Sequence, residues 1–333
     1  MEIRQVRLAR NPNGQPVPED FEVVAMSLPE LAEGHVLVRT EYLSLDPYMR
    51  SQIAGKHISG SITPGDAMRG ETVGIVVESR APGFTAGQRV RGFGGWQTHS
   101  LHSAGELSHV DERIEPPSYA LSLLGMTGLT AWAGMVWQAR VQEGDQVLIP
   151  AVTGGVGAAA AQFCQLRGAE VVGTAGSDEK CRYAEEELGV RRCINRRSGD
   201  LAGALDASLP DGLDVYFDLV GGELLNLASE RLALNARVVL AGLISEYNQA
   251  TRSGGPPPGN WIKARATVYG LVVYDFEPRR AEFVEACLPH LAASALFQRE
   301  DVAEGIDAAP EAFCALMNGQ NFGKVVVRME ERA

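Results

Sequence analysis

The chain has 333 residues, with 30 Lys plus Arg against 42 Asp plus Glu and a formal net charge of −12. That length suggests two domains, and that charge disfavours binding to nucleic-acid phosphates or to an anionic membrane surface. Apolar residues make up 45% and charged residues 22%, which excludes a disordered chain. The cysteines, Cys164, Cys181, Cys193, Cys287 and Cys314, are odd in number and show no Cys-x-x-Cys spacing. This argues against a disulfide framework and against a cysteine-rich zinc site. The opening MEIRQVRLARNPNG lacks an apolar stretch of signal-peptide length, and no apolar run reaches the roughly 18 residues of a membrane span. A reducing cytoplasmic setting is expected.

The first part of the chain reads as β-rich. Ile3–Leu8, Phe21–Ser27, His35–Leu43, Thr72–Glu78 and Gln88–Gly92 are short β-branched or apolar runs set apart by Gly, Pro and Asn. Long amphipathic helices are scarce before residue 118, and many short strands with frequent turns suggest a barrel-like domain. Beyond Pro116-Pro117, Ser118–Leu124 and Gly128–Trp137 show helical spacing. Strands then alternate with helices. Strands are expected at Val147–Ile149, Glu170–Thr174, Cys193-Ile194, Leu213–Asp218, Arg237–Ala241 and Val268–Val273. Helices are expected at Gly155–Leu166, Asp178–Leu188, Glu223–Ala233 and Arg279–Leu291. This alternation predicts a doubly wound parallel sheet. A helix at Ala309–Met317 and a strand at Lys324–Met329 close the chain. Gly254–Gly259 is a Gly/Pro loop, expected to be a mobile lip over a substrate.

Residues 147–180, VLIPAVTGGVGAAAAQFCQLRGAEVVGTAGSDEK, hold the strongest local signal. A strand is followed by Gly154-Gly155-Val156-Gly157, a helix and a second strand, the context that a dinucleotide fingerprint requires. Gly154 leaves room for a pyrophosphate, Gly157 lets the helix approach the sheet, and the helix N-terminus attracts phosphate. Val152 stands in the first glycine position of G-x-G-x-x-G. A tight turn without a ligand is the alternative. The second strand has no acid at its tip to bond a ribose 2′-hydroxyl; Ser177 and Lys180 follow it, and Arg191, Arg192, Arg196 and Arg197 cluster further on. Cations and hydroxyl donors suit a 2′-phosphate, so NADP is favoured over NAD. Lys180 and Arg196 are the preferred contacts, with Arg191 and Arg192 structural.

Taken together, Leu45-Asp46-Pro47-Tyr48-Met49-Arg50, Gly125–Ala131, Thr153–Gly157, Gly176–Lys180, Tyr216–Gly222, Ile244-Ser245-Glu246-Tyr247-Asn248 and Asn321-Phe322-Gly323-Lys324 resemble the zinc-independent medium-chain dehydrogenases/reductases. The branch is that of the prostaglandin reductases, leukotriene hydroxydehydrogenases and alkenal double-bond reductases, including the bacterial curcumin-reductase-like members. The resemblance spans nearly the whole chain. It implies a GroES-like β-barrel catalytic domain at 1–118 and 295–333, a Rossmann NADP-binding domain at 119–294, and an active site in the cleft between them. It implies cofactor contacts at Met126, Thr130, Gly154, Gly155, Val156, Gly157, Ser177, Lys180, Arg196, Gly242, Leu243, Ile244, Ser245, Tyr247, Leu271, Val272, Val273 and Asn321. Tyr48, Tyr274 and Trp261 would line the substrate pocket. It also implies a homodimer, with Val268–Val273 as a candidate edge strand. Arg196 stands where relatives often carry Tyr, which keeps a phosphate donor; Leu219 follows Asp218 where relatives often carry Asn, so the resemblance does not carry that one side-chain cofactor contact over to this chain.

Metal ligands are not expected. No cysteine precedes Cys164, Gly70-Glu71-Thr72-Val73-Gly74 lacks the histidine of zinc-dependent relatives, and His57, His99, His102 and His109 are isolated. The expected reaction is NADPH-dependent reduction of the C=C bond of an α,β-unsaturated aldehyde or ketone. Tyr247, with the cofactor ribose 2′-hydroxyl, would stabilise the enolate or relay a proton to the α-carbon; packing against the ribose is its bland alternative. Asp46 and Arg50 are expected to form an ion pair internal to a structural turn. An NADPH:quinone reductase and a non-catalytic NADPH-binding protein are the alternative functions.

Overall fold

The computed structural model describes residues 1–55, 57–249, 251 and 254–329. The chain divides into two compact units, Met1–Ser122 with Glu300–Ala333, and Leu123–Arg299. Residues 330–333, the end of the expected catalytic domain, lie outside the described residues.

In the first unit, strands β1 (Glu2–Leu8) and β2 (Phe21–Ser27) form an antiparallel pair. Then come β3 (His35–Ser44), the short helix α1 (Met49–Ile53), β4 (Thr72–Ser79), β5 (Arg89–Gly92), β6 (His99–Ser103) and β7 (Ser108–His109). The expected helix over Ser118–Leu124 is instead a 3₁₀ turn, Pro117–Ala120. Ser118 and Ser122 hydroxyls both donate to the Glu300 carboxylate at 2.6 Å, tying this turn to the segment where the chain returns.

The second unit begins with α2 (Met126–Trp132), which continues as a π-helical turn over Ala133–Gln138. It proceeds through β8 (Gln146–Ile149), α3 (Gly155–Gln165), β9 (Glu170–Ala175), α4 (Asp178–Glu186), β10 (Arg192–Asn195), α5 (Leu201–Ser208), β11 (Leu213–Asp218) and α6 (Gly222–Glu230). After β12 (Leu232–Leu240) come α7 (Pro258–Ala264), β13 (Thr267–Gly270) and α8 (Arg280–Ala292). The six strands pair in parallel in the order β10-β9-β8-β11-β12-β13. This is the doubly wound order, and its switch point lies between β8 and β11, where such sheets take ligands at their carboxyl ends. Val147, Leu148 and Ile149 of β8 and Val215, Tyr216 and Phe217 of β11 are fully buried, as befits strands covered on both faces. Over one face Trp132, Phe163 and Phe283 pack edge-on or tilted. Leu205, Leu209, Leu224 and Ala228 pack over the other.

Several local expectations are corrected. The helix expected to run to Ala233 stops at Glu230, and Leu232–Ala233 already belong to β12. The strand expected through Val273 ends at Gly270, and a 3₁₀ helix starts at Val273. Pro258 and Gly259 open α7, so the last two residues of the expected Gly254–Gly259 loop start a helix; Pro at a first helical position costs no hydrogen bond. The chain stays in the second unit through Arg299 because Gln162 clamps the Phe297 backbone, accepting from its N–H at 3.0 Å and donating to its carbonyl at 2.9 Å.

Back in the first unit, β14 (Glu300–Glu304), α9 (Ala309–Met317) and β15 (Lys324–Arg328) complete a seven-stranded sheet. Its order is β14-β15-β3-β4-β5-β7, with β6 also paired to β3. Trp96, fully buried, stacks on Phe21 at 5.8 Å and meets Phe313 of α9 edge-on at 5.6 Å. The Asp46 ion pair is not internal to its turn. Lys324 Nζ donates to Asp46 Oδ1 at 2.9 Å and to the Leu45 carbonyl at 2.7 Å, Ser44 Oγ donates to Asp46 Oδ2, and Arg50 donates to the Gly14 carbonyl. Both members of the pair are 3% exposed. Removing one leaves the other charge buried without compensation. Lys324→Met is therefore expected to cost about 3–5 kcal/mol in urea unfolding, and the double variant Asp46→Leu/Lys324→Met is expected to lose less than the single one.

Candidate cofactor and active site

The turn from β8 into α3 is shaped by contacts that exclude side chains. A Cβ on Gly157 would lie 2.4 Å from the Ala151 carbonyl oxygen and 2.8 Å from Val152 Cα, and one on Gly154 would lie 3.2 Å from the same oxygen. The helix start therefore sits against the strand end, with Gly154 as its N-cap and Gly155, Val156 and Gly157 as its first residues. Their N–H groups fall among the first four of the helix, which lack intrahelical acceptors and favour an anion. Val152 tolerates the first glycine position because its side chain fills the space that Gly173 of β9 leaves: a Cβ there would be 2.5 Å from Val152 Cγ1. The missing glycine is thus compensated one strand away.

The tip of β9 is flanked by cations. Ser177 caps α4, its hydroxyl accepting from the Lys180 backbone N–H at 3.3 Å. A Cβ on Gly176 would lie 3.9 Å from Arg196 Nη2 and equally far from Arg197 Cζ. The two guanidinium groups thus converge on the residue before Ser177, and no hydrogen bond or ion pair of either guanidinium is found among the described residues. Partial burial, and next the neighbouring Arg197, hold the Arg196 pKa below its ordinary value. An anion placed between them would relieve that repulsion. Arg197 was not singled out from the sequence; the folded turn brings it as near to Gly176 as Arg196. Arg191 is instead bonded to Glu170, Gln146 and the Ser208 carbonyl, and Arg192 to Glu185.

A third segment follows β12. Ala241 and Gly242 N–H groups donate to the Asp218 carbonyl, and the Ser245 N–H and hydroxyl to the Val220 carbonyl at 3.1 and 2.6 Å. Gly242, Leu243, Ile244 and Ser245 are thereby laid along the end of β11. Gly221 has no room for a side chain beside Leu243, since a Cβ would be 2.7 Å from Leu243 Cδ2. Asp218, fully buried, accepts from Tyr216 Oη, Val220 N and Gly221 N through Oδ1. Burial pushes its carboxyl up despite these bonds. Tyr247 is half-buried, and its phenol oxygen accepts the Leu243 N–H at 3.4 Å.

The remaining residues are placed as follows. Met126 opens α2 and Thr130 bonds its own hydroxyl to the Met126 carbonyl. Leu271, buried, continues the ladder from β13 by donating to the Leu240 carbonyl; Val272 is exposed, and Val273 and Tyr274 begin the 3₁₀ turn. Trp261 of α7 is partly buried and packs on the core cluster of Leu148, Tyr216 and Leu224. Tyr48 and Asn321 belong to the first unit: Tyr48 caps α1 and lies 5.0 Å from the His57 ring, and Asn321 bonds the Gly323 carbonyl.

Comparison with known proteins follows the same lines. A family described as the N-terminal domain of oxidoreductase matches residues 4–110, and one described as zinc-binding dehydrogenase matches residues 155–292. The NADPH-dependent curcumin reductase of Escherichia coli (strain K12) is 36% identical over 329 residues, covering 97% of this chain and 95% of that protein. The 2-alkenal reductase (NADP(+)-dependent) of Nicotiana tabacum is 34% identical, covering 97% and 96%. Prostaglandin reductase 1 of Bos taurus is 37% identical, covering 95% of each. The crystal structure of CurA in complex with NADPH from Vibrio vulnificus matches with a TM-score of 0.94 and 35% identity over 99% of this chain and 100% of that one. An Escherichia coli quinone oxidoreductase complexed with NADPH matches at a TM-score of 0.82 and 19% identity over 98% and 99%, a likeness of fold alone.

The name of the second family implies zinc, and the donors of this chain do not fit it. Among the described residues no three His, Cys, Asp or Glu side chains are placed to share an ion. All five cysteines are buried, Glu71 is bonded to Arg91, and His102 shares a 2.8 Å hydrogen bond with Ser100. The chain belongs to the medium-chain dehydrogenase/reductase family, in the branch of the curcumin, 2-alkenal and prostaglandin reductases.

Proposed function

We propose that this protein is an NADPH-dependent reductase of the C=C bond of α,β-unsaturated aldehydes and ketones. The observation that carries the reading is the pairing of a glycine-rich helix start, Gly154–Gly157, with two guanidinium groups converging on Gly176. Together they suit a pyrophosphate and an adenosine 2′-phosphate. The curcumin and 2-alkenal reductases, similar over nearly the whole chain, support the choice of reaction. Bound NADPH supplies the hydride that the β-carbon accepts.

In this reading Ser177, Lys180, Arg196 and Arg197 hold the 2′-phosphate. Gly242, Leu243, Ile244, Ser245, Leu271, Val272 and Val273 contact the rest of the cofactor through backbone and apolar atoms, with Met126 and Thr130. Tyr247 acts at the reacting carbonyl. The bond its oxygen receives from Leu243 N–H makes its O–H a better donor. That O–H stabilises the oxygen on which negative charge develops and can pass a proton toward the α-carbon. Tyr48, Tyr274 and Asn321 enter the proposal through the resemblance to the family. A homodimer formed along β13 is part of the same reading, supported by its position at the sheet edge and the exposure of Val268. No helix among the described residues is long and apolar enough to cross a membrane, and five unpaired thiols suit a reducing cytoplasm.

Mixed with NADPH and a panel of enones and alkenals, the protein is expected to consume absorbance at 340 nm and to yield the saturated carbonyl compound. Turnover of quinones with none of any enone would overturn the reading in favour of a quinone reductase. Arg196→Ala and Arg197→Ala are each expected to raise the KM for NADPH about tenfold or more, and to leave the KM for NADH little changed. Tyr247→Phe is expected to lower kcat by about tenfold to a hundredfold, with a smaller change in the KM for NADPH. Light scattering is expected to give twice the chain mass.

A further inference from the structure

Cys181 lies on α4 and Cys193 on β10, and the two are not used by the site described above. Their sulfurs are 2.9 Å apart, with the Cys193 thiol donating to Cys181 Sγ. The elements that carry them are held in register by a second contact: Cys193 N–H donates to the Glu185 carboxylate of α4 at 2.8 Å. Both cysteines are buried, with 7% and 4% exposure. Yet both line an open depression of about 590 Å³ between α4, β10 and α5, walled also by Asp178, Arg192 and Asn195. A small polar oxidant can reach them there. Cys164, Cys287 and Cys314 are buried too, and no sulfur partner is found for them among the described residues.

We propose that Cys181 and Cys193 are a redox-active dithiol that hydrogen peroxide closes to an intramolecular disulfide. The Cys181 thiolate attacks one peroxide oxygen and breaks the O–O bond, giving a sulfenic acid and, with one proton, water. The Cys193 sulfur then attacks the Cys181 sulfur and displaces a second water. Two thiols lose two electrons and two protons, and one peroxide becomes two waters. Cys181 attacks first because it receives the hydrogen bond, which favours its thiolate, whereas Cys193 gives one. Burial pushes both thiols up, so the step is slow with weak oxidants. Bond formation needs the sulfurs to close to about 2.05 Å, a shift of less than 1 Å per side chain. The link would strap α4, one residue from Lys180, to β10, three residues before Arg196.

The test uses the full chain. After peroxide treatment, free thiols are alkylated in denaturant and the digest is analysed by mass spectrometry. Free thiols are expected to fall from five to three, with the Cys181 and Cys193 peptides cross-linked and all five thiols restored by dithiothreitol. In Cys193→Ser, Cys181 is expected to be trapped by dimedone as the sulfenic acid, with no cross-link formed; Cys193→Ala repeats the measurement should the serine variant fold poorly. Five thiols surviving peroxide, losses confined to Cys164, Cys287 or Cys314, or an irreversible sulfinic acid at Cys181 in place of the cross-link would overturn the proposal. None of these readouts depends on NADPH or on turnover.

Discussion

At Gly157 a single added carbon would stand 2.4 Å from the carbonyl oxygen of Ala151. Because that carbon is missing, α3 begins directly against the end of β8, beside the switch point of the sheet, and its unbonded N–H groups face the place where a ligand binds in such folds. Everything else proposed for the second unit is arranged around this start. The chain after β9 delivers Ser177 and Lys180, the turn after β10 delivers Arg196 and Arg197, and the segment after β12 delivers Tyr247. Each comes from the carboxyl end of a parallel strand, which is the geometric consequence of six strands pointing one way.

Electrostatics sharpen the arrangement. Two guanidinium groups converge beside Gly176, and partial burial, with the neighbouring Arg197 second, holds Arg196 below its ordinary pKa. An anion between the two would lessen their repulsion, which is why the proposed 2′-phosphate is placed at this turn. The buried Asp218 plays a different part. Its Oδ1 gathers a phenol and two backbone N–H groups, and its own carbonyl receives Ala241 and Gly242. It thus fixes the stretch that carries Tyr247 without belonging to the reacting groups. The first unit relies on a comparable device, with Lys324 at the start of β15 bonded to Asp46 just past the end of the neighbouring β3.

Much of this was legible in the sequence. The runs Phe21–Ser27, Leu213–Asp218 and Ala309–Met317 coincide with elements of the structure to the residue, because their ends carry strong local signals and their apolar patterns match one period. The alternation of short apolar strands and helices was enough for the parallel sheet, since strands buried on both faces cannot afford polar residues. Elements with weak periodicity were missed: β14, whose sequence Glu-Asp-Val-Ala-Glu is mostly charged, and α5 and α7, short helices next to Gly and Pro.

The sequence by itself determined the doubly wound unit, the glycine turn and the choice of cations over an acid after β9. These rest on local spacing and on residue types that act over a few positions. Only the tertiary structure decided which distant residues meet. It set Val152 into the space above Gly173, paired Asp46 with Lys324 and not with Arg50, and brought Arg197 level with Arg196. It set Trp261 beside the core and laid Cys193 against Cys181. Contacts of this kind depend on how helices and strands pack, and packing is set by the whole chain closing on itself, which no local pattern encodes.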